Sequence, residues 1–323
     1  MDFLVSYKTA FENYLLENQF VERPQNLYAP VNYILKIGGK RIRPLMLLLA
    51  SDLIGSELKN ALPAALAVEV FHNFTLLHDD IMDQAPLRRG MLTVHTKYNI
   101  NTAILSGDVM LIHAYNLLSS YDADISCKLM KVFNKMAIDV CEGQQLDMDF
   151  EDRQEVSVSE YIDMITKKTS VLIGASLQMG GILAGMDTKS ATHLYYYGVN
   201  IGIAFQMQDD ILDTFGDGKV GKQPGGDIIQ NKKTYLYIKT MALADNSQQE
   251  ELITYYNSKP DNTDAKVTRV REIMNDTHVK IHSEEVQKEY RQLAFSHLDA
   301  INLSEKAKSQ FQAFGAYLLD RKM

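Results

Sequence analysis

One acidic pentad occurs twice in this chain, as Asp79-Asp80-Ile81-Met82-Asp83 and again as Asp209-Asp210-Ile211-Leu212-Asp213, 130 residues on (209 − 79). On a helix, the first and last carboxylates of each pentad stand one turn apart on one face. Like charges at that spacing repel and weaken the helix that carries them, by about 0.2–0.5 kcal/mol per pair. A fold that keeps two such faces must set cations against them. Oxygen donors with no Cys or His set beside them select a hard ion such as Mg²⁺, and two faces of one kind suggest a single shared metal site.

The rest of the chain supports helices. Apolar residues recur with helical periodicity from Leu62 to Asp83, Thr102 to Ser119, Ser126 to Asp149, Ser159 to Leu183, Ala191 to Phe215 and Thr234 to Ala244, while alternating strand-like runs are scarce. Breaks fall at Gly38-Gly39, Gly55-Ser56, Gln84 to Gly90, Gly216 to Gly226 and Asn257 to Asp264, none long enough to link domains. Ser159 is a weak cap, whereas Ser283-Glu284-Glu285 has the acceptor and early acids of a helix start. Past Asn246 the apolar positions Leu293, Leu298 and Ile301, then Phe311, Phe314 and Leu318, fit amphipathic helices of a peripheral layer. The expectation is an all-α protein, residues 1–323 forming one large helical bundle. Apart from the pentads there is no internal repeat, which excludes a solenoid.

Composition narrows the function. With 46% hydrophobic and 23% charged residues, the 323-residue chain is an ordinary globular protein, and its net charge of −8 argues against a nucleic-acid binder. Cys127 and Cys141 form no disulfide framework and no metal-ligand spacing, which fits a reducing cytoplasm. The N-terminus lacks the basic start and apolar run of a signal peptide. Val171 to Met186, interrupted by Ser176 and Gln178, is too short to span a bilayer and reads as a helix buried on all sides.

Cations cluster near glycines and helix ends: Gly38-Gly39-Lys40-Arg41-Ile42-Arg43-Pro44, Arg88-Arg89-Gly90, Lys167-Lys168-Thr169, Lys222 and Lys232-Lys233-Thr234. Alone, each is an ordinary solvated face. Arg88 and Arg89, however, follow Asp83 by five and six residues, and guanidinium suits bidentate phosphate recognition. The simplest ligand satisfying carboxylates and guanidiniums together is a diphosphate bridged to the aspartates by Mg²⁺. His72 shares the helical stripe of Asp79 and Asp83 and is a candidate phosphate contact, while His78 points about 100° from Asp79 and is structural. Gln206 shares a face with Asp209 and Asp213, Asp210 is turned aside, and Gln144 with Asp147 forms a weaker pair of the same spacing.

With these motifs in place, the chain resembles the trans-isoprenyl diphosphate synthases of the polyprenyl synthetase family. The resemblance rests on six elements in family order: GGKRxRP at Gly38 to Pro44, DDxxD followed by RR at Asp79 to Arg89, GQxxD at Gly143 to Asp147, KT at Lys168-Thr169, FQxxDDxxD at Phe205 to Asp213, and GK…GxDxxxxK at Gly221 to Lys232. It implies the isoprenoid-synthase type of bundle with a central cavity. Asp79, Asp83 and Asp209 would bind Mg²⁺ directly, supported by Asp80, Asp210 and Asp213, with three ions held when substrate is bound. Arg88, Lys168 and Lys222 would bind the allylic diphosphate with Lys232 near it, and Lys40, Arg43, His72 and Arg89 would bind isopentenyl diphosphate. Thr169 and Gln206 would place oxygen dipoles beside the developing cation. The chain departs from relatives in carrying Asn231-Lys232 and Leu236, where a different local turn is expected. A homodimer is implied, and the basic Arg321-Lys322 could close over the site.

The implied chemistry is ionisation of the allylic diphosphate, attack by the homoallylic double bond, and proton loss to the released diphosphate. That sequence needs no side-chain base, in keeping with the lack of a Ser/His/Asp or Cys/His arrangement. Phe71 and Thr75 lie two and one turns before Asp79, and the resemblance places the chain-length gate at Phe74. A phenylalanine there goes with short products, twenty carbons ahead of fifteen. The alternatives are a class I terpene cyclase and a non-catalytic subunit of a heteromeric synthase.

Overall fold

The computed structural model describes residues 2–216, 225–257 and 263–319. Helices carry nearly all of them: α1 (Asp2–Glu17), α2 (Gln25–Ile37), α3 (Ile42–Ile54), α4 (Leu58–Met82), α5 (Val94–Lys97), α6 (Ile100–Ser119), α7 (Ala123–Asp152), α8 (Val158–Ile165), α9 (Val171–Leu183) and α10 (Thr188–Phe215). There follow α11 (Gly226–Ile229), α12 (Tyr235–Leu243), α13 (Asn246–Tyr256), α14 (Thr263–Asp276), α15 (Val279–Asp299) and α16 (Glu305–Leu319). The only sheet among the described residues is a hairpin of β1 (Leu87–Arg88) and β2 (Met91–Leu92). Its two-residue turn puts Arg89 and Gly90 at φ 53° and 76°, the left-handed pair that a tight hairpin requires.

The chain forms two compact units, residues 1–134 with 175–192, and residues 135–174 with 193–323. All three changeovers fall inside helices, in α7, α9 and α10. In the first unit α4 packs on α3 and α6. Its buried Ala61, Ala64, Ala65 and Ala67 let helices come close, and Phe71 fills the space against Phe133, ring centroids 5.1 Å apart. Gly180 on α9 approaches α3 so closely that a Cβ there would stand 2.3 Å from the Leu47 carbonyl oxygen. The second unit has one apolar cluster around Leu236, Leu252, Val270 and Ile273 and another around Phe150, Tyr161, Ile203 and Met207.

Local signals account for most boundaries. Gly55, at φ 113°, ends α3 with its N–H on the Asp52 carbonyl and the Ser56 N–H on that of Ser51. At α8 the cap is Ser157, not Ser159: Ser157 and Glu160 form a reciprocal capping box. The start expected at Ser283 lies instead at Val279, after His278 in a left-handed conformation, and Ser283 is buried within α15. Of the expected apolar positions in the tail, Leu298, Ile301, Phe311, Phe314 and Leu318 are buried, but Leu293 is 49% exposed. Of the stretch from Val171 to Met186, expected to be buried on all sides, residues 171–181 are buried apart from a half-buried Gln178, whereas Ile182 to Ala184 and Met186 are half-buried and Gly185 is exposed, because α9 ends at Leu183. Cys127 and Cys141 are exposed and not joined in a disulfide.

Candidate active site

Both acidic pentads close a helix. The first occupies the last turn of α4, with Asp83 as C-cap, and the second ends two residues before the end of α10. The helix dipole places about half a negative charge at that end, so carboxylates stacked there are doubly unfavourable without a cation. Asp80, 2% exposed, has its cation already: Arg88 Nε lies 2.9 Å from both carboxylate oxygens and Nη2 lies 2.7 Å from Oδ1. Asp83 is exposed and Asp79 half-buried.

Beside this helix end the first unit gathers guanidiniums. Arg41, in a left-handed conformation between Gly39 and α3, donates 2.5 Å to Glu69 and 2.6 Å to the Leu35 carbonyl, both partners being buried. Asn73 donates to the same Glu69 carboxylate at 3.1 Å. This fixes the glycine loop and leaves Arg43, whose Nη1 sits 3.1 Å from His72 Nε2. Burial and the guanidiniums of Arg43, Arg89, Arg88 and Arg41 hold the His72 imidazole well below its ordinary pKa, so it is neutral and accepts from Arg43. Burial likewise lowers the Arg43 guanidinium to about 10, and its Nε has no partner among the described residues. A Cβ on Gly39 would stand 2.4 Å from Arg89 Nη1, so only glycine lets that guanidinium lie over the loop. The result is a concentration of guanidiniums around a neutral imidazole.

The second unit organises its cations around Asp147 on α7. Lys168 Nζ donates to it at 2.6 Å and Lys232 Nζ at 3.1 Å. Burial raises the Asp147 pKa, but the two ammoniums outweigh it and the carboxyl ends below its ordinary value. Lys168 and Thr169 lie on a π-helical turn, Thr166–Ser170, between α8 and α9, a widened register that recurs at functional sites. Asp210 is buried, accepting from the Tyr161 hydroxyl and from Gln206 Nε2 at 3.0 Å. Burial, reinforced by Asp227, raises its pKa well above the carboxylate range despite those donors. Asp213 Oδ2 accepts the Asp227 amide at 2.9 Å, tying α10 to α11.

Within the first unit, the structure thus brings Arg43, His72, Arg88 and Arg89 together near Asp80. Lys40 is exposed on the same loop, Thr75 Oγ1 donates to the His72 carbonyl at 2.8 Å, and Phe74 lies between Phe71 and His78 with centroids 5.6 and 4.8 Å away. Within the second it joins Lys168 to Lys232 and Gln206 to Asp210, and Asp209 is half-buried on α10. Lys222, Arg321 and Lys322 lie outside the described residues. Sequence reasoning assigned no role to Glu69 or Tyr161. A lone acid in the apolar run from Ala64 to Phe71 was a readable signal for a buried cation; nothing in the sequence marked Tyr161. Among the described residues no three His, Cys, Asp or Glu side chains converge as a preformed metal cage. The donor set is nonetheless all oxygen and sits at negative helix ends, which fits a hard ion that retains water and completes its shell on a ligand.

Comparison with known proteins accords with this chemistry. The sequence matches the polyprenyl synthetase family over residues 24–274. It is 38% identical over 303 residues to a geranylgeranyl pyrophosphate synthase of Geoglobus acetivorans, covering 93% of this chain and 92% of that one. It is 47% identical over 221 residues to a geranylgeranyl diphosphate synthase of Methanosarcina mazei, 68% of each chain. A crystal structure of geranylgeranyl pyrophosphate synthase superposes with a TM-score of 0.94 at 46% identity, covering 99% of both chains. Fold and relatives together define an all-α prenyltransferase. The chain belongs to the polyprenyl synthetase family, among its short-chain trans members.

Proposed function

We propose that this protein joins isopentenyl diphosphate to an allylic diphosphate, dimethylallyl, geranyl or farnesyl, and releases a trans prenyl diphosphate of twenty carbons in preference to fifteen. The observation that carries this reading is the pairing, in the first unit, of an acidic helix end with a guanidinium pocket built on a neutral His72. The relatives named as geranylgeranyl diphosphate synthases support the product length.

In this reading Lys40, Arg43, His72 and Arg89 hold isopentenyl diphosphate, and Arg88, Lys168, Lys222 and Lys232 hold the allylic diphosphate. Asp79, Asp83 and Asp209 would ligate Mg²⁺, three ions with substrate present, with Asp80, Asp210 and Asp213 in supporting or water-mediated roles. Bound Mg²⁺ supplies Lewis-acid stabilisation of the departing diphosphate. The lysines add preorganised positive charge where the C–O bond breaks, and Thr169 and Gln206 direct oxygen dipoles at the allylic cation. The double bond of isopentenyl diphosphate then forms the new C–C bond, and the proton lost goes to the released diphosphate.

The whole chain acts as one domain, in the cytoplasm; among the described residues no helix is long and apolar enough to cross a membrane. Ile104, Leu105 and Ile112 on α6 are 40%, 59% and 56% exposed, and we assign this face to a homodimer contact. Incubation of the purified chain with isopentenyl diphosphate, each allylic primer and Mg²⁺, followed by product sizing, tests the function. A linear twenty-carbon diphosphate is expected, and none from Asp79→Ala with unchanged helix content. A cyclised hydrocarbon, or no product from the single chain, would replace this reading with a cyclase or a non-catalytic subunit.

A further inference from the structure

Lys266 on α14 is only 1% exposed, a rare position for an ammonium. Its partners among the described residues are not carboxylates. Nζ donates to Asn231 Oδ1 and lies 5.2 Å from the centroid of the Tyr256 ring. A methionine or leucine would fill the same volume without desolvating a charge, so the directed contact to Asn231 calls for an explanation.

Asn231 holds a left-handed conformation, φ 59°, directly before Lys232. The turn it makes is closed by the Asn231 N–H on the Ile228 carbonyl at 3.3 Å and the Lys232 N–H on that of Asp227 at 2.9 Å. Its other end is fixed to the acidic helix, the Gly225 amide donating to the Asp213 carbonyl at 2.7 Å and the Asp227 amide to Asp213 Oδ2 at 2.9 Å. Helix α14 meets the segment at both ends. Val267 presses on Gly225, where a Cβ would stand 2.6 Å from Val267 Cγ1, and Lys266 holds Asn231. Beyond the turn, Lys232 Nζ reaches Asp147 at 3.1 Å and Glu151 at 3.4 Å.

We propose that Lys266 is a positioning residue: its buried ammonium latches Asn231 in the left-handed turn and so sets where Lys232 meets Asp147, at the allylic-diphosphate end of the second unit. The consequence for substrate rests on the reading of Lys232 given above; the latch itself does not.

Lys266→Met, Asn231→Ala and the double variant test it, read by hydrogen exchange of the 226–233 backbone and by KM for each substrate. Each single variant is expected to raise exchange in that segment and the KM for the allylic diphosphate roughly tenfold, as loss of one charge-assisted hydrogen bond implies. KM for isopentenyl diphosphate and helix content stay unchanged, and the double variant is no worse than the worse single one. Asn231 is half-buried on a turn, so its variant remains readable where Lys266→Met fails to fold. Unchanged exchange in Asn231→Ala, additive losses in the double variant, or an equal rise in both KM values overturns the latch. Absence of prenyl transfer in the unaltered chain would count against the function alone, because exchange reads the latch without turnover.

Discussion

Gly143 is where stability and activity should come apart. It lies buried on α7 against the π-helical turn, and a Cβ there would stand 2.2 Å from the Lys168 amide nitrogen and 2.7 Å from the Lys167 carbonyl carbon and Lys168 Cα. Ordinary contact begins near 3.4 Å, so in Gly143→Ala the turn must give by 3.4 − 2.2 = 1.2 Å. It is gripped a second time at Ser170, whose Cα lies 2.8 Å from where a Cβ on Gly202 would be. Backbone held at two points cannot retreat without carrying Lys168 along. Overpacking of this kind costs about 1–3 kcal/mol, of which the better helix propensity of alanine restores about 1. With an unfolding entropy of roughly 2.1 cal/mol/K per residue, each net kcal/mol lowers Tm by only about 1.5 °C in a chain this long. Displacing a charge-positioning group by about 1 Å, in contrast, costs on the order of a hundredfold in rate. Gly143→Ala is therefore expected to melt within about 3 °C of the unaltered protein while losing most of its kcat/KM, measured by incorporation of labelled isopentenyl diphosphate. Unaltered kcat/KM would show that the π-turn has slack, and a collapse of Tm would show that the loss is unfolding.

Three further outcomes are expected. The folded His72 resists protonation, so between its depressed pKa and the unfolded value of about 6.5 the unfolded chain binds the extra proton; its contribution is complete above that range and is lost as pH falls through it. Melts of substrate-free His72→Gln between pH 7 and 5 should slope less than those of the unaltered protein, and equal slopes would mean that water reaches the imidazole. Arg41→Met leaves the buried Glu69 without its ion-pair partner, held only by Asn73, and should destabilise by about 3 kcal/mol in denaturant titrations, most of it regained in Arg41→Met/Glu69→Met; a double variant as weak as the single would refute a charge-pair origin. Phe74→Ala removes the ring that touches Phe71 and His78, and longer products are expected by chromatographic sizing; an unchanged distribution argues against the gate.

What the sequence revealed and what it hid follow from the range of the forces involved. Helices α4, α6, α7 and α10 were legible because each repeats its apolar residues over many turns, and the pentads because like charges at helical spacing mean something at any location. The start of α15 was misread because Ser283-Glu284-Glu285 has the composition of a helix entry, yet Ser283 faces the core and the left-handed His278 does the breaking. The π-turn leaves no mark in composition, since it is a shift of hydrogen-bond register, here in a segment that Gly143 and Gly202 approach closely. The cation clusters were visible one by one, but not their partners. Lys168 and Lys232 meet on Asp147 across separations of 21 and 85 residues, and Arg88 spends its fork on Asp80. Pairing at such distances is set by packing, which no local pattern encodes.

The backbone itself ties these pairings to function. Five non-glycine residues among those described have positive φ: Arg41, Gln84, Arg89, Asn231 and His278. Two of them are the arginines that flank the His72 pocket, and a third directly precedes Lys232. Left-handed conformations at such residues disfavour the folded state by about 1 kcal/mol or more each and persist only where surrounding contacts over-determine them. Those contacts can be named: Glu69 and the Leu35 carbonyl for Arg41, the hairpin turn for Arg89, Lys266 for Asn231. Strain is thus concentrated on the loops that aim positive charge, while the acids stand on regular helices at their negative ends. Acids at helix ends and cations on strained loops are complementary to a polyanion with its metal ions, which is the chemistry proposed for this chain.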